Sequence, residues 1–175
     1  MFKRHIILSA LLSSLLLAAP VAADMTRDFA QPIEIESDAE ELDWRAGVLI
    51  FRGNVIIQQG TLRINAERLD VVSEDDEEIG EGEVLIATGS PATYQQEVEP
   101  GVIVEASANE IRYDSRVRVL TLSGDAQMRQ SGNQVSANRI IYYADEQRVT
   151  AERDEDSEER VRTILQPRQN NGNNG

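Results

Sequence analysis

Cysteine is absent from the 175 residues, and the one histidine is His5. Without a thiol or an imidazole past position 5, nucleophilic catalysis by Cys or by a Ser-His pair is excluded, as are zinc and copper sites of the usual kind. No disulfide framework is possible, so stability rests on burial and hydrogen bonding. Lysine occurs once, as Lys3; every basic residue beyond Arg4 is arginine. Long apolar runs are also missing except for Ile6 to Ala19, which at about 14 residues falls short of the roughly 20 a membrane-spanning helix needs.

That single run has the makings of a secretory signal: Lys3 and Arg4 precede it, and Val21-Ala22-Ala23 supplies small residues for cleavage after Ala23. With no cysteine downstream, lipoprotein processing is excluded. The expected product is soluble and exported, into the periplasm of a Gram-negative source. Removing residues 1–23 takes Lys3 and Arg4 from the 17 basic residues, leaving 15 against 31 acidic ones, a net charge of −16. Such a chain is a poor nucleic-acid binder.

The remaining 152 residues suffice for one domain with a sizeable core. From Ile33 to Leu165 apolar and polar residues alternate: Ile33 and Ile35 with Glu34 and Glu36, Ile64 and Ala66 with Arg63, Asn65 and Glu67. Period two marks half-buried strands, and no stretch of about a dozen residues sustains a 3.6 period. An all-β chain of 14 to 16 short strands is predicted. Gly53-Asn54 and Gly124-Asp125 mark tight turns or bulges, Gly47 and Gly60 mark turns, and Pro91 and Pro100 mark strand boundaries.

The chain also repeats. Gly53, Gly89 and Gly124 are 36 and 35 residues apart. A shift of 71 places Phe51-x-Gly53-Asn54-Val55 on Leu122-x-Gly124-Asp125-Ala126, Gln59 on Gln130, Ile64 on Val135, Ala66 on Ala137, Arg68 on Arg139 and Leu69 on Ile140. With a shift of 69, Ala39-x-Glu41-Leu42-x-Trp44 matches Ala108-x-Glu110-Ile111-x-Tyr113. Two copies of one multi-strand unit, each unable to cover its apolar face alone, would stack into a single apolar interior. Two acidic stretches, Glu74 to Glu78 with Glu81 and Glu83, and Asp154 to Asp156 with Glu158 and Glu159, lack the spacing of a calcium loop and read as solvated loops. The tail from Gln166 lacks apolar content and reads as disordered.

Gln31-Pro32-Ile33-Glu34-Ile35-Glu36-Ser37-Asp38, Phe51-Arg52-Gly53-Asn54-Val55, Gln59-Gly60-Thr61-Leu62-Arg63-Ile64-Asn65-Ala66, Gly89-Ser90-Pro91-Ala92-Thr93-Tyr94 and the closing Arg160-Val161-Arg162-Thr163-Ile164-Leu165-Gln166-Pro167 resemble the LptA/OstA family of periplasmic lipopolysaccharide-transport proteins. The resemblance runs from Gln31 to Pro167. It implies a V-shaped, open-ended β-jellyroll of about 16 antiparallel strands at residues 24–165, with lipid A acyl chains in its interior. It also implies head-to-tail self-association, and edge-strand joining to an LptC-like inner-membrane and an LptD-like outer-membrane protein. No cofactor and no catalysis are implied. In some relatives the loop after the sixth strand carries basic residues; here Ser73-Glu74-Asp75-Asp76-Glu77-Glu78 is acidic.

Alternation names the lining. With a turn at Gly53, Leu49, Phe51, Val55 and Ile57 share a face, as do Leu120, Leu122, Ala126 and Met128 in the second copy. Ile33, Ile35, Leu42, Trp44, Ile64, Leu69, Ile111, Tyr113, Val135 and Ile140 extend it. Each reads equally well as core packing or lipid contact. Arg27, Arg52, Arg68, Arg116 and Arg118 are head-group candidates by residue type, since guanidinium pairs bidentately with phosphate; each also reads as a solvated strand-face charge. The other classes left open are a structural adaptor without lipid and a carboxylate-dependent glycan enzyme.

Overall fold

The computed structural model describes residues 25–43, 48–73, 83–153 and 160–167. A short helix, α1 (Met25–Phe29), is followed by β1 (Glu34–Glu36), β2 (Ala39–Asp43), β3 (Val48–Gln59), β4 (Leu62–Ser73), β5 (Glu83–Glu99), β6 (Val102–Asp114), β7 (Val119–Gln130), β8 (Asn133–Tyr143), β9 (Arg148–Glu152) and β10 (Arg162–Ile164). All pairings are antiparallel, in the order β1-β3-β4-β5-β6-β7-β8-β10, with β2 also on β3 and β9 also on β8. The sheet is open: β1 and β10 lie at opposite ends of the path and do not pair.

The described residues form ten strands rather than the 14 to 16 expected, because β3 to β8 run unbroken through positions the sequence marks as turns or boundaries. Gly53-Asn54 and Gly124-Asp125 are register breaks inside β3 and β7. Pro91, expected at a boundary, sits within β5 after a cis bond, where the pairing with β6 is interrupted and a missing donor breaks no ladder bond. The breaks align. Register shifts at Arg52/Val55, Asn65/Arg68, Thr88/Ala92, Ser107/Glu110 and Ser123/Ala126 make one seam across the sheet. The gaps between β1 and β2 and between β9 and β10 continue it to both edges.

The seam divides the sheet into two arms. One holds β2, β9 and the halves of β3 to β8 paired with them; the other holds β1, β10 and the remaining halves. Buried side chains of both arms belong to one apolar cluster, so the sheet is folded over along the seam. Beside the fold line run Ala66, Ala92, Ala108, Ala126 and Ala137, small side chains where the two inner faces converge.

The two sequence copies coincide with structural repeats: β3 and β7 are related by 71 residues, as are the starts of β4 and β8. At the seam, Asn54 Nδ2 donates to Asp38 Oδ2 at 2.7 Å, and Asn109 Nδ2 donates to Asp125 Oδ2 at 3.2 Å. A shift of 71 superposes Asp38 on Asn109 and Asn54 on Asp125, so the donor and acceptor have exchanged strands while the bond persists. Gly53 (φ +77°) and Gly124 (φ +75°) stand against these pairs. A Cβ would fall 2.5 Å from Asp38 Oδ2 at the first and 2.8 Å from Asn109 Nδ2 at the second, so both the left-handed backbone and the space call for glycine.

Candidate functional site

Alternation along strands delivers most of the expected lining residues to the folded interior. Phe51, Val55, Ile57, Ile64, Leu69, Ile111, Tyr113, Leu120, Leu122, Ala126, Met128 and Ile140 are buried in the cluster. Ile33, Ile35, Leu49 and Val135 are half-buried against it, and Leu42 is half-buried on β2. Trp44 lies outside the described residues.

Most of the interior is sealed, and one part of it is open. A groove of about 510 Å³ lies between Leu49, Val71, Leu85 and Tyr113 on one arm and Phe29, Ile33, Ile35 and Gln59 on the side of the other, with Glu83, Ser115 and Arg116 among its lining. Its size is that of a site for an organic ligand. Helix α1 borders the groove because Asp28 anchors it. The buried Asp28 carboxylate accepts from Thr61 N at 2.9 Å and from Gln96 Nε2 at 2.9 Å, and also from the Thr61 hydroxyl. Tyr94 completes the chain, donating its hydroxyl to Gln96 Oε1 at 2.6 Å. The Arg118 guanidinium lies over the Phe29 ring of α1, 5.1 Å from its centroid.

Polar groups within the interior are few. Burial pushes the Tyr94, Tyr113 and Tyr142 hydroxyls up, so all three remain protonated. Gln59 Nε2 donates to Gln31 O at 3.0 Å, whereas Gln59 Oε1 and Tyr113 Oη are buried and have no partner among the described residues.

The five candidate arginines do not converge. Arg52 pairs with Glu41 at 2.7 Å, Arg68 with Asp70 at 2.8 Å, and Arg118 grips both Asp145 oxygens at 2.6 and 2.7 Å. Arg27 is exposed on α1. Arg116, 3.8 Å from Asp114, is the one that lines the groove. Glu41 comes from the neighbouring strand β2 and Asp145 from a turn, which residue type alone does not reveal, while Asp70 lies two residues on in Arg68's own strand. Of the two acidic stretches, only Glu83 is described, at the start of β5. Among the described residues, no group of three or more His, Cys, Asp or Glu side chains is placed to hold a metal.

An open, seamed antiparallel sheet of this order is matched on both sequence and structure. Residues 34–148 match the model of the family described as LptA/(LptD N-terminal domain) LPS transport protein. The chain belongs to this family. It is 39% identical over 163 residues to the lipopolysaccharide export system protein LptA of Escherichia coli, covering 93% of this chain and 86% of that one. Identity to LptA of Haemophilus influenzae is 33%, over 90% of each chain. The crystal structure of LptH, the LptA-homologous periplasmic component of the lipopolysaccharide transport device of Pseudomonas aeruginosa, superposes with a TM-score of 0.72 at 28% identity, covering 81% of this chain and 99% of that one.

Several interior residues escaped the sequence reading. Val71, Leu85 and Phe29 line the groove, Tyr94 and Tyr142 are buried in the cluster, and Asp28 and Gln96 hold α1. The alternation of Leu85 with Ala87, and of Ala92 with Tyr94, carries the signal for β5. For Asp28 no local signal exists, since its partners are 33 and 68 residues away.

Proposed function

We propose that this protein is a non-catalytic carrier of lipopolysaccharide in the periplasm, exported by a signal cut after Ala23, with residues 24–165 as the carrier domain. The acyl chains of lipid A occupy the interior, entering at the groove bordered by α1. The observation that carries this reading is the groove of about 510 Å³, lined by more apolar than polar side chains, between two arms of a sheet that does not close. Each buried methylene contributes about 0.8 kcal/mol, so one chain of about 14 carbons gains on the order of 10 kcal/mol from a complete apolar lining. Family membership supports the cargo.

The two free edges supply the bridge. At one end β1 and β2, and at the other β9 and β10, leave unpaired backbone groups that an added strand satisfies. In this account an LptC-like protein of the inner membrane and an LptD-like protein of the outer membrane join at these edges. Further copies of the chain insert head to tail, and such contacts do not close. Val161, Ile164 and Leu165, all exposed apolar side chains around β10, support an interface there. With no built-in energy source, direction comes from the inner-membrane partner.

The test is to purify the exported chain from its source without detergent and extract bound lipid. Lipopolysaccharide in the extract is the expected result. Protein free of lipid, yet still joined to its membrane partners, would make it an adaptor and remove the carrier role.

A further inference from the structure

We propose that α1 is a removable strap between the far ends of the two arms, in place in the lipid-free protein and lifted as an acyl chain enters. The inference rests on the carrier reading and adds a gate to it.

The strap is held from both sides. The turn Gly60-Thr61 joins β3 to β4 at the end of one arm, the arm of β1 and β10, away from the seam. Asp28 is received there: its carboxylate accepts from Thr61 N at 2.9 Å, from the Thr61 hydroxyl, and from Gln96 Nε2 at 2.9 Å. Gly60 has φ +61°, and a Cβ at that position would collide with the carboxylate. Left-handed glycine, threonine and a fully buried glutamine thus form a receptor for this one side chain. The turn 115–118 joins β6 to β7 at the end of the opposite arm. From that turn the Arg118 guanidinium lies over the Phe29 ring, 5.1 Å from its centroid, while gripping Asp145. Two consecutive residues of α1 therefore bind the ends of both arms.

These attachments suit release. Helix α1 pairs with no strand, so lifting it breaks no ladder bond of the sheet. The Asp28 carboxylate is met by neutral donors, and the cost of burying a charge offsets much of what such hydrogen bonds contribute. A single ring–guanidinium contact at a partly exposed arginine is weak. Where the chain leaves α1, Gln59 Nε2 donates to Gln31 O at 3.0 Å, a fixed point about which the helix can swing while β1 stays paired. Phe29 is the apolar member of the strap: it lines the groove and packs half-buried against the core cluster. An acyl chain offers that cluster the same kind of contact over a greater length, and so competes with the ring for it.

The experiment follows α1 in the mature chain. Because the chain has no cysteine, Arg27→Cys with Arg63→Cys places two spin labels, one on exposed α1 and one on the exposed face of β4, and leaves Asp28, Phe29 and Arg118 native. The lipid-free protein should give one narrow label distance, which purified lipopolysaccharide should replace with a longer and broader distribution. Without labels, Asp28→Asn and Phe29→Ala should each take up lipopolysaccharide roughly fivefold faster than the native chain, as loss of one modest contact from the closed state allows. If α1 is instead a fixed wall of the groove, the label distance stays constant on loading, and uptake by the folded variants is unchanged or slower; either result overturns the proposal. Should both variants misfold, the label distance, read with the strap intact, decides alone. Lipopolysaccharide bound without movement of α1 overturns the strap and leaves the carrier role standing. No binding of lipopolysaccharide by the native chain removes the two together.

Discussion

Two parts of the same interior differ in a way that separates structure from function. Beside the seam, Leu69, Ile111, Leu122 and Ile140 from one arm meet Ala92, Ala108 and Ala126 from the other, and none exceeds 1% exposure. Away from the seam, Leu49, Ile33 and Ile35 are half-buried around an open groove. The strands, the alternation and the residue types are alike. Distance from the fold line alone does not account for it, because Ile57, Leu62, Val98 and Val104, also away from the seam, are sealed; Leu49, Ile33 and Ile35 lie on β3, before β1 and on β1, at one end of the strand order. The expected lining therefore divides into side chains that hold the arms together and side chains placed to meet a ligand.

Truncation tests this division most strongly. Ile140→Ala or Leu122→Ala should lower unfolding free energy by about 2–5 kcal/mol in urea, the range for an unrelieved cavity in a packed core. Leu49→Ala should cost under about 1.5 kcal/mol, since part of its surface already faces the groove, yet should reduce the lipid recovered with the protein. Equal losses of stability at the two places would dissolve the distinction.

Asp28→Ala should have the next largest effect, about 1–3 kcal/mol, because the Thr61 N–H and the Gln96 amide lose a shared acceptor in a buried place. Amide exchange at Thr61 should quicken, while amides at the seam keep their protection. If seam amides quicken equally, α1 holds the whole fold and not the mouth alone.

The smallest effect belongs to the Arg118–Asp145 pair beside α1. The Arg118 guanidinium holds the Asp145 carboxyl below its ordinary range. A depressed folded pKa adds stability above the unfolded value of about 3.9, and that stability is lost as pH falls through the lower folded value. Both partners are substantially exposed, so the gain is slight and shrinks with salt. Asp145→Asn should slightly flatten the acid side of the stability curve; an unchanged slope at low salt would show that the pair contributes nothing.

Period two and the duplication were legible because each residue's face and copy are written locally. The seam was legible only as punctuation. A glycine followed by Asn or Asp has the same left-handed signature in a hairpin as in a bulge within a continuous strand, so Gly53 and Gly124 left turn and bulge both open. The exchange of Asp38–Asn54 for Asn109–Asp125 reads as two mismatches until the strands are set side by side. The head-group arginines were the least legible, since Arg118 finds Asp145 at a separation of 27 positions along the chain. The groove itself is lined by side chains from β3, β4, β5, β6 and the segment around β1, so no single strand carries its signal.

The central claim, that lipid tails lie in the mouth of the folded sheet, is tested most directly by photocrosslinking in the source cell, with the reactive side chain placed in turn at Ile35, Leu49, Leu122 and Arg63. The account predicts lipopolysaccharide adducts at Ile35 and Leu49, and none at Leu122, sealed beside the seam, or at Arg63, exposed on the outer face. Adducts at Arg63 as abundant as at Ile35, or none at Ile35 and Leu49, would contradict it.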